Sequence, residues 1–296
     1  MAGLVPAISL RDAPWPPDRD RRDRPGDDYR TAMSPDLYFA LTLIVKMAIT
    51  AGFVLAATVT AERAGPLVGG LVATLPIGAG PVYVFLALDH DAHFIAQSAV
   101  GSLAINAVNV LFATIYVLLA QEASLFASLS TALLAWAALA FVVHWVHWTV
   151  ASALAVNIVV IAICLWLVRR LRHVTMPPLR RRWYDLPMRA VLVAILVGMV
   201  VSLSFRIGPA GSGILAVFPV VLISIMLILH NRVGGKASAA VLANVPLGLI
   251  GFGGACIVLH FTAEPLGMAA ALSLALAASI GWGLTVLTAR HQGIPV

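Results

Sequence analysis

The chain has 296 residues, of which 61% are hydrophobic and 11% are charged, and its formal net charge is +6. Ordinary soluble domains contain about 45–50% apolar and about 25% charged residues, so this composition and a mean hydropathy of +0.97 exclude that class. Apolar runs of about 20 residues without strict alternation predict membrane-spanning helices. The basic residues concentrate beside these runs, where arginine reports topology, so the positive charge does not indicate a nucleic-acid partner. Cys164 and Cys256 both lie in apolar runs and indicate neither a disulfide framework nor a cysteine metal site.

The first 33 residues differ from the rest of the chain because they are rich in proline and in charge. Arginines and aspartates balance each other there, and this composition predicts disorder. We interpret residues 1–33 either as a disordered tail or as a mis-called extension, in which case Met33 is the true start.

Hydropathy predicts nine membrane-spanning helices after this segment. The predicted spans are 37–61, 66–88, 93–120, 124–145, 149–170, 187–206, 211–230, 236–260 and 265–289. The largest cluster of arginines, which includes Arg180–Arg182, lies between the fifth and sixth spans and predicts that this loop is cytoplasmic. Crossings counted outward from that loop place the N-terminus outside and the C-terminus in the cytoplasm, in a bacterial inner membrane.

One sequence pattern occurs twice at a constant offset of 143 positions. The matched residues are Arg63, Gly65, Pro66, Gly70 and Pro76 in the first copy and Arg206, Gly208, Pro209, Gly213 and Pro219 in the second. Spans one to four therefore correspond to spans six to nine, and the fifth is a connector. A repeat with an even number of spans, followed by one crossing, enters the membrane again upside down. The sequence predicts an all-α membrane protein of two inverted-topology four-helix repeats, 34–148 and 187–296, joined by the connector helix and basic loop of 149–186.

The segment Ser212–Pro219 contains Gly213, Phe218 and Pro219 and is followed by an apolar run. It resembles the Gly-Leu-x-x-x-Phe-Pro pattern of small four-helix bacterial inner-membrane proteins of the GlpM-like kind. The resemblance implies a duplicated four-helix unit and no particular activity. The first half reads Thr74-Leu75-Pro76 and lacks the phenylalanine. The overall plan is also similar to that of the drug/metabolite transporter superfamily, whose halves are likewise inverted.

Two prolines and three asparagines are candidate substrate-binding residues. Pro76 and Pro219 lie near the middles of their predicted spans, where a proline removes a helical hydrogen bond and exposes a carbonyl. Paired interruptions of this kind mark the central site of a transporter, whereas a kink satisfied by a neighbouring helix is the alternative. Asn106 and Asn109 share a face of the third span, and Asn244 lies in the matching eighth span. These amides either line the site or form hydrogen bonds between helices.

Charged residues supply one further binding candidate and a set of gate candidates. Lys46 lies deep in the first span, where we hypothesise that it is a counter-charge for an anionic substrate or coupling ion. The alternative is snorkelling, because its counterpart in the second repeat is an interfacial arginine. Arg63 and Arg206 are candidate gate residues with Glu62 and Glu264 as partners, and snorkelling is again the alternative.

Four histidines are the candidates for a metal site in an alternative interpretation. The predicted topology places His90, His93, His144 and His147 on the outer side, where imidazole and carboxylate groups suit a divalent transition metal. Their spacing matches no established motif, so no bound metal is predicted. A metal-dependent site at the periplasmic face stays open as an alternative.

Catalytic motifs are not visible in this sequence. It has no nucleophile elbow, phosphate-binding glycine loop or zinc-protease motif, so neither an enzyme nor a cofactor is predicted. The favoured interpretation is a secondary transporter or permease for a small molecule, surrounded by membrane lipid, with its site at the interface between the repeats. A membrane scaffold without transport is the other alternative, and homo-oligomerisation stays open.

Overall fold

The computed structural model describes residues 35–63, 78–171 and 184–292, and all regular structure in these ranges is helical. The helices of these ranges are α1 (Pro35–Arg63), α2 (Ala79–Asp89), α3 (Ala92–Leu119), α4 (Leu125–Trp145), α5 (Val150–Val168), α6 (Asp185–Ala216), α7 (Val220–Leu242), α8 (Val245–Leu266) and α9 (Met268–His291). The predicted all-α fold is confirmed. The chain divides between Phe39 and Ala40 into a short first unit, described only at the start of α1, and a second unit that contains every other helix.

Seven helical stretches in the described ranges are long and apolar enough to cross a membrane. They are Leu37–Ala56, Ala92–Leu119, Leu125–Trp145, Val150–Val168, Asp185–Leu242, Val245–Leu266 and Met268–Ala289, and α2 is a shorter apolar helix. A helix satisfies its backbone polar groups internally, which hydrocarbon requires because it offers no hydrogen bonds. The chain is therefore a multi-pass membrane protein.

The long stretch Asp185–Leu242 is not one straight helix. Gly208 has φ 68° and Gly234 has φ 82°, a backbone conformation that favours glycine, and each interrupts the helical geometry. The chain also leaves the helix at Val217–Pro219, inside the predicted seventh span of 211–230. The predicted eighth span of 236–260 is likewise interrupted at Ala243–Asn244. Proline accounts for both differences from the prediction, because Pro219 and Pro246 cannot donate to the carbonyl four residues earlier.

Short polar residues begin three of the helices. The carboxylate of Asp91 accepts a hydrogen bond from the N–H of Phe94 (2.8 Å) at the start of α3. Ser124 caps α4 in the same way, and Thr149 and Ser152 form a capping box at the start of α5. These side chains satisfy N–H groups that have no partner in the first turn of a helix.

The central helix of the fold is α3. Within the apolar membrane-spanning stretch of α3, 78% is buried inside the protein. The corresponding share is 17–28% for α1, α4, α5 and α9. The central helix α3 packs most extensively against α8, α6, α5 and α4. Large apolar side chains such as Phe53, Phe126 and Trp166 are exposed on the outer helices. An exposed apolar surface of this extent fits contact with membrane lipid.

Candidate functional site

The backbone is unwound inside the protein at Val217–Pro219, between α6 and α7. Val217 has φ −107° and ψ 15°, and Pro219 has φ −77° and ψ 44°. The N–H of Val217 bonds to the carbonyl of Leu215, so the carbonyl of Gly213 loses the donor that a continuing helix would supply. Val217 and Phe218 pack against two hydrophobic clusters of the fold. Polar backbone groups therefore lie where water is scarce.

A stripe of polar side chains runs along α3, and two of its members bind backbone carbonyls at this break. Spacings of four, four and three residues place its members on one side of the helix, and all are buried: Ser98, Ser102, Asn106 and Asn109. Ser102 Oγ donates to the carbonyl of Gly213 (2.7 Å), and Asn109 Nδ2 donates to the carbonyl of Val217 (2.8 Å). Side chains of α3 thus replace the backbone donors that the break removes.

The short part of α6 after Gly208 packs very closely against α3. A Cβ atom at Gly213 would lie 1.9 Å from the carbonyl oxygen of Ser98, and one at Gly101 would lie 2.6 Å from that of Ala210. Neither position has room for a methyl group. Glycine therefore permits the approach that brings the Gly213 carbonyl within reach of the short side chain of Ser102.

Two amides on different helices form a second polar contact inside the fold. Asn106 Nδ2 donates to Asn157 Oδ1 (2.8 Å) and to the carbonyl of Leu249 (3.1 Å). Asn157 Nδ2 in turn donates to the carbonyls of Leu103 (2.7 Å) and Ala153 (2.9 Å). Among the described residues, the buried Asn106 Oδ1 has no hydrogen-bond partner. The connector α5 is thereby tied to α3, although the sequence had not selected Asn157.

Trp136 of α4 is the second residue that sequence reasoning missed. Its Nε1 donates to Asn109 Oδ1 (2.7 Å), and its ring meets Phe218 edge-to-face at a centroid distance of 4.9 Å. Because both ends of the Asn109 amide are engaged, the amide has one orientation. The available signal was a tryptophan in the middle of an apolar span, away from the interfacial belt where tryptophan is enriched.

A cavity of about 500 Å³ lies between α1, α2, α8 and α9. Its walls are almost entirely apolar, and the polar side chains that line it are Thr50, Tyr83, Cys256 and Ser273. The hydroxyl of Tyr83 shares a hydrogen bond with Ser102 Oγ (2.7 Å). One wall of the cavity is therefore bonded to the residue that binds the Gly213 carbonyl beside the break.

Lys46 forms an ion pair with Asp89 at the end of α2. Its Nζ lies 2.6 Å from both carboxylate oxygens and 5.9 Å from the centroid of the Phe85 ring. The two charged side chains are only 11% and 20% exposed. The hypothesised counter-charge is thus paired with a carboxylate of the chain itself.

A second ion pair, which is partly buried, joins Asp185, at the start of α6, to Arg232 of α7. The side chains are 12% exposed for Arg232 and 11% for Asp185. The guanidinium also lies over the ring of Tyr184, 5.7 Å from its centroid. Sequence reasoning selected neither partner as a site residue, because charges at the ends of apolar spans usually report topology.

His90 packs in the loop between α2 and α3. Its Nε2 forms a hydrogen bond with Ser204 Oγ (2.8 Å), and its ring stacks on Phe94 at a centroid distance of 3.8 Å. Burial lowers the pKa of His90 and Lys46 acts in the same direction, so that together they outweigh the opposing influence of Asp89 and Asp91. The arrangement favours the neutral imidazole at neutral pH.

The other three candidate histidines, all of them in the described part of the chain, do not join His90 in a metal site. Within the described ranges, no group of three or more His, Cys, Asp or Glu side chains could hold a metal ion. His93 Nδ1 pairs with Glu264 (2.8 Å) on the exposed surface. His144 is exposed beside Trp145, and His147 is also exposed.

The remaining sequence candidates lie apart from these contacts or outside the description. Pro76 and the side chains of Glu62 and Arg63 lie outside the described residues. Arg206 is exposed on α6. Asn244 precedes α8, and its Nδ2 donates to the carbonyl of Ala240 (3.3 Å). Of the predicted set, the structure brings Asn109 together with the Pro219 break.

Comparisons with known proteins leave the site to be interpreted from its own geometry. No protein-family model matches the chain, and no curated protein or solved structure gives a significant match.

Proposed function

We propose that this multi-pass membrane protein is a secondary transporter or permease of the bacterial inner membrane for a small molecule. The observation that carries the proposal is the break at Val217–Pro219, where unwound backbone lies inside the protein against the polar stripe of α3. Irregular backbone at membrane depth occurs only where protein or a cavity surrounds it. In secondary transporters, interrupted helices of this kind mark the central site.

The positions of helix starts support an internal repeat, which we propose to be inverted. α3 starts at Ala92 and the second part of α7 follows Gly234, while α4 starts at Leu125 and α9 at Met268. Both pairs of starts have the 143-residue offset of the duplicated pattern. The resemblance of Ser212–Pro219 to the GlpM-like unit stays a prediction. A duplicated four-helix unit would explain why the pattern occurs twice.

One hydrogen bond supports the position of the axis between the repeats. Asn106 donates to the carbonyl of Leu249, and these two residues are 143 positions apart. Residues at equivalent places in two symmetric repeats contact each other only close to the symmetry axis. The axis would therefore pass beside Asn106, in the interior of the protein.

The cavity is the proposed substrate site because its walls come from both repeats. In this scheme α1 and α2 belong to the first repeat, and α8 and α9 belong to the second. Apolar walls with a few hydroxyl groups suit a small apolar or amphipathic molecule, since a strongly charged one would be desolvated without a partner. The Tyr83–Ser102 hydrogen bond would pass movement of the cavity wall to the broken helix.

Alternating access would use the break as a hinge. Residues Val217–Pro219 lack the full set of helical hydrogen bonds, so a rotation there costs less than bending an intact helix. The segment before the hinge, which ends at Ala216, is held against α3 by close packing at glycine residues and by side-chain hydrogen bonds. The segment that starts at Val220 would rotate relative to it and open the cavity to each face in turn.

The test is whether the break can be reached from both faces of the membrane. A Val217→Cys reporter in a Cys164→Ala and Cys256→Ala background is treated with a small membrane-impermeant thiol reagent in right-side-out and inverted vesicles. We expect modification from both faces, and none for the control Ala132→Cys, which lies in the packed interior of α4. A Val217→Cys reporter that reacts from neither face contradicts the proposal. Uptake of a panel of small amphipathic solutes into proteoliposomes under an imposed pH gradient then identifies the substrate.

A membrane scaffold is the second candidate, and one observation favours it. The carbonyls of Gly213 and Val217 already accept hydrogen bonds from Ser102 and Asn109. A break whose polar groups are satisfied in this way is stable without a substrate. A scaffold predicts an unreactive Val217→Cys reporter, so the same experiment separates the two candidates.

A further inference from the structure

Two partly buried ion pairs of the described residues, Lys46–Asp89 and Asp185–Arg232, occupy similar places in the two halves of the chain. Lys46–Asp89 joins α1 to the end of α2, and Asp185–Arg232 joins the start of α6 to α7 just before Gly234. Asp89 and Arg232 are 143 positions apart, which is the offset of the repeat. After the same offset, Lys46 and Asp185 lie one helical turn from each other. The paired charge on the first helix is a cation in the first half and the anion Asp185 in the second, where Arg189 stands at the position equivalent to Lys46.

The pairs lie at opposite ends of the central helix. Asp89 comes just before α3 begins at Ala92. Arg232 comes just before Gly235, where a Cβ atom would lie 2.1 Å from the carbonyl oxygen of Ala120, immediately after α3 ends. With 28 residues, α3 is about 42 Å long, more than the thickness of about 30 Å of a hydrocarbon core. The pairs are therefore separated by the depth of the membrane that α3 crosses.

The first pair lies one helical turn beyond the cavity on both of its helices. Thr50 lines the cavity, and its hydroxyl donates to the carbonyl of Lys46 (2.8 Å). Phe85 also lines the cavity, four residues before Asp89, and its ring faces Lys46 Nζ. If α1 and α2 separated at this pair, the cavity would open at that end.

We propose that Lys46–Asp89 and Asp185–Arg232 are the two gates of the protein, which break in alternation. The inference rests on the transport function proposed above. A buried ion pair adds little net stability, because the cost of removing both charges from water offsets their attraction. Such a pair is therefore poorly suited to holding two helices together permanently. The same pair is well suited to a contact that opens and closes, since water solvates both charges once they separate. Alternating access requires one end of the protein to be closed while the other is open. Two such ion pairs at opposite ends of α3 provide this.

Native Cys256 serves as the reporter, because it lines the cavity. In a Cys164→Ala background, its rate of modification by a membrane-impermeant thiol reagent is measured from each face in oriented vesicles. We expect Asp89→Asn to raise the rate about tenfold from the face where α3 begins and to lower it from the other face. Asp185→Asn should have the opposite effect. The double exchange Lys46→Asp with Asp89→Lys should return both rates to within about twofold of the starting values.

Asp91→Asn is the matched control for the first gate. It removes a charge two residues from Asp89, yet asparagine also caps a helix, so both rates should stay unchanged. The inference is overturned if Asp89→Asn and Asp185→Asn accelerate modification equally from both faces, because ion pairs with a purely structural role would have that effect. It is also overturned if neither variant changes any rate. The unfolding temperature of each variant shows whether a change in rate reflects loosening. Failure of the transport function itself is distinguishable, because the Val217→Cys reporter would then be unreactive in the chain with both gates intact.

Discussion

Two of the interruptions in the second half of the chain, at Val217–Pro219 and at Ala243–Asn244, differ in how their backbone groups are satisfied. At Val217–Pro219 the chain leaves helical dihedral angles, and side chains of α3 bind the freed carbonyls. At Ala243–Asn244 the dihedral angles stay helical, with φ −88° and ψ −7° at Asn244. Backbone hydrogen bonds also continue there, from the Ala243 N–H to Ala239 (2.8 Å) and from the Gly248 N–H to Asn244 (3.4 Å). The first break depends on a neighbouring helix, whereas the second is a kink within its own backbone.

The difference teaches that proline alone does not determine the kind of break. Pro219 ends the first interruption and Pro246 follows the second, and each removes one helical donor. Of these two breaks, the chain leaves helical geometry at the one where another helix offers replacement donors at close range. At the first break, the polar stripe of α3 supplies the replacement donors and the glycine contacts bring them close. The functional proposal therefore rests on this break.

The largest expected effect comes from adding a methyl group at the first break. Gly213→Ala places a Cβ atom 1.9 Å from the Ser98 carbonyl oxygen, and we expect a loss of about 3 kcal/mol or more in unfolding free energy. The matched change near the second break is Gly248→Ala, where nothing lies within 4 Å. It should be neutral or stabilising by up to about 1 kcal/mol, because alanine favours helix. Thermal unfolding in detergent measures both, and equal losses would contradict the comparison.

The next effect comes from removing the amide that serves the first break. Asn109→Leu leaves the Val217 carbonyl and the Trp136 indole N–H without their partner, and we expect a loss of about 2 kcal/mol. Asn244→Leu at the second break should cost less, because Asn244 is only half-buried. Chemical unfolding of both variants provides the measurement. A larger loss for Asn244→Leu would reverse the ranking of the two breaks.

A smaller effect is expected from the indole that orients Asn109. Trp136→Phe removes the donor to Asn109 Oδ1 but keeps an aromatic ring against Phe218, so we expect a loss of about 1 kcal/mol. The control is Trp166→Phe on the exposed surface of α5, which should change stability little. If both tryptophan variants unfold at the temperature of the parent protein, the bond to Asn109 does not stabilise the first break.

The smallest effect is expected at the proline of the second break. Pro246 lies in the first turn of α8, a position that favours proline because its fixed φ suits the start of a helix. Pro246→Ala should therefore change the unfolding free energy by less than about 1 kcal/mol, mainly through the entropy of the unfolded chain. The modification rate of the Val217→Cys reporter should stay the same. A changed rate would mean that the two breaks move together.

The sequence predicted the position of the first break but only part of its surroundings. A proline inside an apolar run is visible locally, and a spacing of three places Asn106 and Asn109 on one face. The contact from Asn109 to the Val217 carbonyl spans 108 positions, and no local pattern encodes it. Asn157 and Trp136 were not predicted as site residues for the same reason, since their importance comes from the residues they meet.

The sequence by itself determined that the chain is helical and embedded in a membrane. Its apolar runs must form helices because hydrocarbon cannot satisfy an open backbone. Only the tertiary structure decided that Lys46 pairs with Asp89 and Asp185 with Arg232, because partner choice depends on which helix ends meet in space. It also decided that α3 is central, although α3 is no more apolar than α4 or α5. Lipid is as apolar as a protein interior, so small residues and polar contacts, rather than hydropathy, select the helix that is buried.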